Sequence, residues 1–499
     1  MPVNKVPDSI EFAGDYDLSH IFLHTHKGDV IDIKLLVQEL NIYESIYKNA
    51  LTGSVVIVDA QNLLAKLEIN GTERISFKLS TPGAKGVRNI VDCSEATGHP
   101  FHVYKISDRR QTSPGSFLYQ LHFGSREFMR NMRKRVSRAF KSRLDNAVFG
   151  IFVSELDSKK SLTFEPCGNI NKTVIPNLRP FDAINMIASR ALPGKSSGVG
   201  YYFYETTKGF HFRSWENMVV SEGQHPRPIK QEFYYMPMNI TDENIPNKIE
   251  HDFKSVEDYR FTNTIHDVAA NTIGGTYGHR VITHNLFNKT YKQDDYNYHQ
   301  SFNTTQHTDL GNNLGAISDS NIDEQPENTK TGTSSVSDYP ESRISLQSTT
   351  QFLHDSDTGA KYGLNVLQDG IKLGQRIAQQ AQVVHGTALR LTVKGQSYLE
   401  AGDLINFHLR SVDEKNPDGE EDPQYSGNYV ITKIRHQITT EKYSMQLECA
   451  KDSVKTGFTR SRNQIPRNTN NTTIRDTYVE ESGVSAEQRY NNTVKKRDR

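Results

Sequence analysis

The sequence predicts a mainly β protein with α+β portions, in which one chain of 499 residues carries two small tube-type β-barrels. Three observations support this prediction. Between His20 and Phe123, apolar and polar residues alternate with a period of two, in strand-length runs separated by turn signals such as NGT and SPG. A similar alternation returns between residues 385 and 455. Only 35% of the residues are apolar, which is low for one large core.

Charge and cysteine content narrow the class of protein. Lys plus Arg and Asp plus Glu both number 59, so no overall field would draw the chain to nucleic acid. The cysteines, Cys93, Cys167 and Cys449, lie far apart and lack the spacing of a disulfide framework or a zinc site. Free thiols are typical of folding in a reducing cytoplasm. We also expect no membrane-spanning segment, because no apolar run is long enough.

No segment matches a catalytic motif, and we expect no enzymatic activity, no cofactor and no metal. The tripeptide Gly194-Lys195-Ser196 lacks the first glycine of a phosphate-binding loop and follows a helical pattern instead of a strand. His24 and His26 share one face of a predicted strand, but no third metal ligand can be identified from the sequence. The sequence therefore favours a structural protein.

The patterns divide the chain into five segments. They are a first barrel domain (1–125), a basic linker helix with an intermediate α+β domain (126–260), a second barrel domain (261–296 and 385–455), a polar insertion with a short helix (297–384), and a disordered or partner-ordered tail (456–499).

The strongest local charge lies between Arg126 and Arg143, with eight basic residues and one acid. Phe128, Met132, Val136 and Phe140 recur at every fourth position, which predicts one amphipathic helix over this range. We interpret its apolar stripe as a strut between domains. The alternative is a helix that binds nucleic acid.

One hairpin pattern occurs in both halves of the chain. Lys105-Ile106 precedes Gln120-Leu121 across a polar turn, and Lys433-Ile434 precedes Gln446-Leu447 in the same way. Alternation alone makes such short matches common, so a duplicated barrel and a coincidence both remain open.

Two longer patterns resemble the tube-like domains of baseplate hub proteins from contractile-tailed, myovirus-type bacteriophages. The first runs from Glu44 to Pro82 and includes ALTGSVVIVDAQNLLAKLEINGTERISFKL; the second lies within Leu391 to Ser453 and includes LTVKGQSYLEAGDLINFHLR and SGNYVITKIRHQITTEKYSMQLEC. The resemblance implies a homotrimer whose six barrels ring a channel for genome passage. It also implies a symmetry adaptor between the six-fold tail tube and the three-fold central spike.

The same resemblance implies partners and a location. The partners are the tail tube protein, the central spike protein, the tape measure protein and the baseplate wedge proteins, while DNA passes without sequence-specific binding. The location is the virion tail baseplate, after assembly in the host cytoplasm. As inter-subunit contacts we expect Tyr43, Ile46 and Tyr47, beside the start of the first hairpin. A nucleic-acid-binding structural protein and a tail-associated cell-wall hydrolase are the alternatives.

Overall fold

The computed structural model describes residues 12–81, 90–168, 170–194, 198–221, 225–235, 248–263, 267–285, 289–311, 336–349, 370–411 and 421–455. Strands dominate these residues, and the prediction of a mainly β chain with α+β portions is confirmed. No helix in the described ranges is both long and apolar enough to cross a membrane.

The strands of the described residues follow one another along the chain from β1 to β24. The first eight are β1 (Asp17–His24), β2 (Val30–Asp32), β3 (Val37–Ser45), β4 (Thr52–Asp59), β5 (Arg74–Ser80), β6 (Ile90–Asp92), β7 (Phe101–Ser113) and β8 (Ser116–Gly124). The next eight are β9 (Val136–Arg143), β10 (Leu162–Phe164), β11 (Ile170–Leu178), β12 (Tyr201–Thr206), β13 (Gly209–Ser214), β14 (Val220–Ser221), β15 (His225–Pro226) and β16 (Gln231–Tyr234). The last eight are β17 (Val256–Asn263), β18 (Gly278–Asn285), β19 (Thr290–Asn297), β20 (Ile344–Thr349), β21 (Thr387–Lys394), β22 (Leu404–His408), β23 (Gly427–Thr439) and β24 (Tyr443–Lys451).

The helices are short except for the last one. They are α1 (Leu63–Lys66), α2 (Arg126–Arg133), α3 (Leu144–Ile151, continued by the π-helical turn Phe152–Leu156), α4 (Pro180–Ala188), α5 (Trp215–Val219), α6 (Lys248–Lys254), α7 (Val268–Gly274), α8 (Tyr298–Ser301) and α9 (Gly370–His385). The 3₁₀ turns are Phe302–Thr304, Val336–Asp338 and Pro340–Ser342.

A 14-stranded sheet connects both ends of the chain, in the order β17-β21-β24-β23-β3-β4-β8-β7-β5-β1-β2. β22 extends this sheet from β23 and in turn pairs with β16, while β6 pairs with β5. Alternate side chains point into an apolar core, as Leu389, Leu391 and Val393 of β21 do. Over the residues described, the main path is open at both ends, at β17 and at β2.

The two halves of this sheet have the same strand order. We call β1, β3, β4, β5, β7 and β8 the first module; its spatial order is β3-β4-β8-β7-β5-β1. The second module contains β16, β17, β21, β22, β23 and β24, and its order is β17-β21-β24-β23-β22-β16. The two orders coincide when the strands of each module are numbered along the chain. The modules differ in one pairing, since β1 is antiparallel to β5 whereas β16 is parallel to β22.

Residue correspondences follow from the hydrogen-bond registers. Ile106 pairs with Leu121 and Ile434 pairs with Leu447, so the two hairpins matched by sequence are equivalent. Following the ladders outward from the two leucines gives the next equivalent residues. In the order first module then second module, they are Val55 and Leu391, Leu40 and Tyr259, and Glu39 and Asp258.

Bulges recur at equivalent places. The β7–β8 ladder skips Tyr104 just before its Lys-Ile pair, and the β23–β24 ladder skips Thr432 at the same point. The β3–β4 ladder skips Gln38, and the β17–β21 ladder skips Glu257. A bulge is a specific local feature of a ladder. Two bulges at matching positions therefore identify the modules as structural repeats, so the match between the two hairpins is not a coincidence.

Between the modules in sequence lies the middle unit, residues 126–221. It contains the sheet β10-β13-β12, the ribbon β11-β9 and the helices α2 to α5. Its core buries large apolar side chains such as Ile184, Phe210 and Phe212. This unit packs beside β3 and makes further contacts with each of the two modules.

The prediction of one helix over residues 126–143 is wrong. Helix α2 ends at Arg133, Lys134 is extended, and Val136–Arg143 is strand β9, paired with β11. A spacing of four is even, so the same apolar residues share one face of a strand as well as one face of a helix. The β-branched Val136 and the available partner strand favour the strand.

The strands of the second module also differ from the sequence-based division. β18 and β19, which fall in the range 261–296 assigned to the second barrel, pair with each other and with β20 in a separate sheet. Helix α9 packs against β18 and β19, and α7 packs against α9; we call this group the insertion unit. Conversely β16, expected in the intermediate domain, pairs with β22. Alternation identifies a strand but does not reveal its partner.

Candidate assembly interface

The two modules meet where β23 pairs with β3. The pairing is antiparallel and runs from Lys433 opposite Ser45 to Thr439 opposite Glu39. A backbone hydrogen bond from Ile46 N to the Thr432 carbonyl, 3.0 Å long, extends it. We call this pairing the intrachain seam. It joins two structural repeats edge to edge through main-chain hydrogen bonds, in the way that sheet edges associate between molecules.

Side chains on one face of the intrachain seam add polar contacts. Arg435 Nη2 lies 3.0 Å from Glu39 Oε1, and Arg435 Nε donates to Asn41 Oδ1 at 2.9 Å. Gln437 Nε2 also donates to Glu39 Oε1, at 3.0 Å. Glu39 and Gln437 are diagonal neighbours across the two strands, a position that suits polar pairs. Because these side chains are only partly buried, their main effect is to fix the register.

Glu44 lies behind the intrachain seam, with its side chain fully buried. Its Oε1 accepts a hydrogen bond from Thr207 N of the middle unit at 2.8 Å. Its Oε2 accepts one from Ala401 N of the second module at 2.9 Å. His436 of β23 places Nε2 at 3.6 Å from Oε1. One carboxylate thus joins both modules and the middle unit.

A second buried charge cluster ties the first module to the middle unit. Lys160 Nζ contacts Glu127 Oε2 at 3.1 Å and Glu205 Oε1 at 2.5 Å. Glu205 Oε2 also accepts from Leu51 N, which follows the first-module strand β3, at 2.8 Å. Burial alone would lower the pKa of Lys160, but the carboxylates of Glu205 and Glu127 outweigh it and hold that pKa above its ordinary value. The ammonium is therefore charged and paired.

Among the strand edges that have no ladder partner in the described part of the chain are those of β17 and β7. β17 pairs only with β21. β7 pairs with β8 along its length, but with β5 only at Phe101 and His102. In the structural repeat, β17 corresponds to β3 and β7 corresponds to β23, which are the two strands of the intrachain seam. One chain therefore carries a complete seam together with the two separate halves of another.

The structure places the expected contact residues mostly inside the chain. Tyr43 lies in the intrachain seam, opposite Arg435. Ile46 is 1% exposed and packs in a cluster shared by both modules and the middle unit, so it is not accessible to another subunit. Tyr47 is 46% exposed, with its ring 6.1 Å from that of Tyr202. The sequence thus pointed correctly to a strand that lies in a seam, but this seam is inside one chain and not between subunits.

The residues of the expected strut are divided between core and surface. Phe128 packs against the core of the middle unit, and its ring also lies 5.4 Å from that of Tyr104 in the first module. Val136 is buried and Phe140 is half-buried in the same core. Met132 is 48% exposed. The structure therefore brings three of the four residues together and leaves Met132 outside.

Part of the basic charge after residue 125 is paired within the chain. Arg126 and Arg130 lie 2.9 and 3.2 Å from Asp157 Oδ2.

His24, considered above as a metal ligand, is part of the packing of the first module, because its Nε2 is hydrogen-bonded to Ser76 Oγ at 2.7 Å. Within the residues that the structure describes, no group of three His, Cys, Asp or Glu side chains could hold a metal ion.

Sequence reasoning did not identify the unpaired edges that β7 and β17 have within the described ranges. The Lys105-Ile106 match carried a usable signal, since the equivalent pair on β23 lies in the intrachain seam. Asp258 is the counterpart of Glu39, and both are acids. That correspondence becomes visible only when the bulge at Glu257 is known.

Comparisons with known proteins were made at the levels of sequence and fold. No protein-family model and no curated protein matches the chain. A tail protein from Neisseria meningitidis matches 89% of this chain and 99% of its own, at 9% identity and a TM-score of 0.45. A 43 kDa prophage tail protein from Shewanella oneidensis matches 88% and 100%, also at 9% identity and 0.45. A component of the Escherichia coli type VI secretion system matches 85% and 76%, at 8% identity and 0.38. In fold, the chain is similar to these two tail proteins and to this secretion-system component.

Proposed function

We propose that this chain is the structural baseplate hub of a phage tail, and that it acts as a homotrimer. Three chains supply six modules to a ring around a channel for genome passage. One side of the ring continues the six-fold tail tube, and the other side seats the three-fold central spike. The observation that carries the proposal is the intrachain seam, accompanied by the unpaired halves of an equivalent seam on β7 and β17.

Symmetry connects that observation to a ring. An interface between two different surfaces repeats head to tail, and it closes into a ring when its rotation divides a full turn. A chain with two similar modules offers six similar positions in a trimer, yet it retains three-fold symmetry. Such a trimer is the smallest closed assembly that matches both a six-fold and a three-fold partner.

The proposal also assigns partners and a place of action. The partners are the tail tube, central spike, tape measure and baseplate wedge proteins, and DNA passes through the ring without sequence-specific contacts. The hub is assembled in the host cytoplasm and remains in the virion baseplate. Its task is mechanical, because it holds tube and spike in register, and we assign it no catalytic step.

Native mass measurement of the full chain tests the proposal. We expect a trimer alone, and a larger complex when the tail tube or spike protein is added. Electron-microscopic class averages of the trimer should show six similar lobes, with successive modules rotated by about 60°. A strict monomer at every concentration and in every mixture would overturn the hub assignment.

A further inference from the structure

We infer that β7 of one copy pairs with β17 of the next copy in one defined register, with Ser107 opposite Asn263 and Gln111 opposite Tyr259. This inference rests on the proposed trimer and specifies the surface at which its subunits meet. The partner is therefore a second copy of this chain. The residues proposed to pair lie on the edges of β7 and β17, for which the described ranges contain no ladder partner.

The register follows from the intrachain seam, in which Arg435 is opposite Tyr43 and Ile438 is opposite Leu40. Each of these residues has a counterpart in the other module, read from the ladders inside the modules. In the order seam residue then counterpart, they are Arg435 and Ser107, Ile438 and Gln111, Tyr43 and Asn263, and Leu40 and Tyr259.

Between these two rungs, each free strand departs from its counterpart by one inserted residue. The β7–β8 ladder bulges between Ser107 and Arg110, whereas β23 is regular at the equivalent point. The β17–β21 ladder skips Thr262, whereas β3 is regular there. Both strands thus contain one more residue than their counterparts at the same rung of the inferred seam.

Matched insertions keep the inferred pairing in step. An extra residue on one strand alone would shift every later rung by one and turn its side chains to the opposite face. An extra residue on both strands lengthens the seam and leaves its two ends in register. Inside the modules, the neighbouring strands β8 and β21 have no extra residue opposite these insertions. The two insertions match only each other, as they would in a strand pair between copies.

Charge supports the same register. In the intrachain seam, Gln437 donates diagonally to Glu39, and the counterparts of these residues are Arg110 and Asp258. The neutral–acid pair thus becomes a cation–anion pair in the inferred seam. Both residues are exposed in the single chain, and across the described ranges neither has an ion-pair partner. Arg260, which faces Arg110 directly, has Asp108 on its own diagonal.

Cysteine cross-linking tests the register in the full chain. Ser107→Cys with Asn263→Cys should give disulfide-linked dimers and trimers under mild oxidation, because residues in direct opposition place their Cβ atoms close enough. Ser107→Cys with Thr262→Cys is one residue out of step and should stay uncrosslinked. The natural cysteines are buried and do not compete. As a positive control, Arg435→Cys with Tyr43→Cys should crosslink within one chain, without a gain in mass.

Charge reversal supplies a second measurement. Asp258→Arg should raise the concentration at which the trimer dissociates by roughly tenfold, because Arg110 then has only Arg260 and the new arginine beside it. Adding Arg110→Asp to this variant should restore assembly, because the new carboxylate faces Arg260 directly and the new arginine diagonally. Glu441→Arg, in the exposed turn between β23 and β24, is the matched control and should leave assembly unchanged.

The outcomes separate the two levels of the proposal. A trimer in which Ser107→Cys with Asn263→Cys fails to crosslink, or in which the shifted pair reacts instead, would overturn the register and leave the hub proposal standing. A trimer whose dissociation is unchanged by Asp258→Arg would also count against this seam. A chain that stays monomeric would overturn the hub proposal itself.

Discussion

Some buried charges in this molecule belong to clusters that link one unit to another. Glu205, which pairs with Lys160 inside the middle unit, also accepts a hydrogen bond from Leu51 N of the first module. Lys160 lies between Glu127 and Glu205, and only 13% of its side chain is exposed. Removing one member of a buried, paired charge group costs more than the pair contributes, since the remaining charges stay desolvated.

We therefore expect Lys160→Met to lower the free energy of unfolding by about 3–5 kcal/mol, because two buried carboxylates lose their cation. Urea unfolding, followed by the fluorescence of Trp215, measures this change; Trp215 is the only tryptophan and is fully buried. Lys159→Met, at the exposed neighbouring lysine, is the control and should change the free energy by less than about 0.5 kcal/mol. Equal effects of both variants would contradict the assignment.

At the scale of elements, the repeat is hidden because equivalent positions have exchanged large and small residues. Gly53 faces Phe123 in the first module, whereas their counterparts Leu389 and Cys449 face each other in the second. A methyl group at Gly53 would overlap the ring of Phe123 and the carbonyl oxygen of Asn41. Each pair places one large and one small side chain in the same part of the core but on opposite strands, so the sequences of the two modules do not match at these positions.

A double-mutant cycle tests this complementarity. Gly53→Leu alone should destabilise the chain by about 3 kcal/mol through overpacking, and Phe123→Cys alone should do so through a cavity. The combination reproduces the pair of the second module, and we expect it to recover about 1–2 kcal/mol relative to the sum. Recovery should be partial, because the Asn41 carbonyl still crowds the new side chain. Strict additivity of the two costs would contradict the packing argument.

The sequence predicted those elements whose patterns are local. The alternation between His20 and Phe123 marks real strands, and the Lys-Ile and Gln-Leu pairs identify equivalent hairpins. The sequence-based prediction was wrong where the structure of a segment depends on which strand it pairs with. The stripe after Arg126 fits either period until β11 is seen to pair with Val136–Arg143. β18 looks like a barrel strand until its partners, β19 and β20, are known. The free edges of β7 and β17 were equally out of reach, because edge status is a property of the whole sheet.

For the whole molecule, the angle between the modules matters more than the stability of either one. In a ring of three identical chains, any error in this angle is repeated in every copy, so the ring closes only if the angle is fixed. The intrachain seam restricts it through the β23–β3 ladder, and Glu44 adds a buried link from the first module to the second module and the middle unit. Loosening that link should affect assembly even where the modules stay folded.

We expect Glu44→Ala to leave the amides of Thr207 and Ala401 buried without acceptors, which costs about 2–5 kcal/mol. Hydrogen exchange should show loss of protection at these two amides, while the amides of the β4–β8 ladder stay protected. The yield of trimer in native mass measurement should fall in parallel. Glu68→Ala, at a carboxylate that is 66% exposed, is the control and should change neither readout. If Glu44→Ala loosens both amides and the trimer yield is unaffected, the angle between the modules is set by the intrachain seam alone.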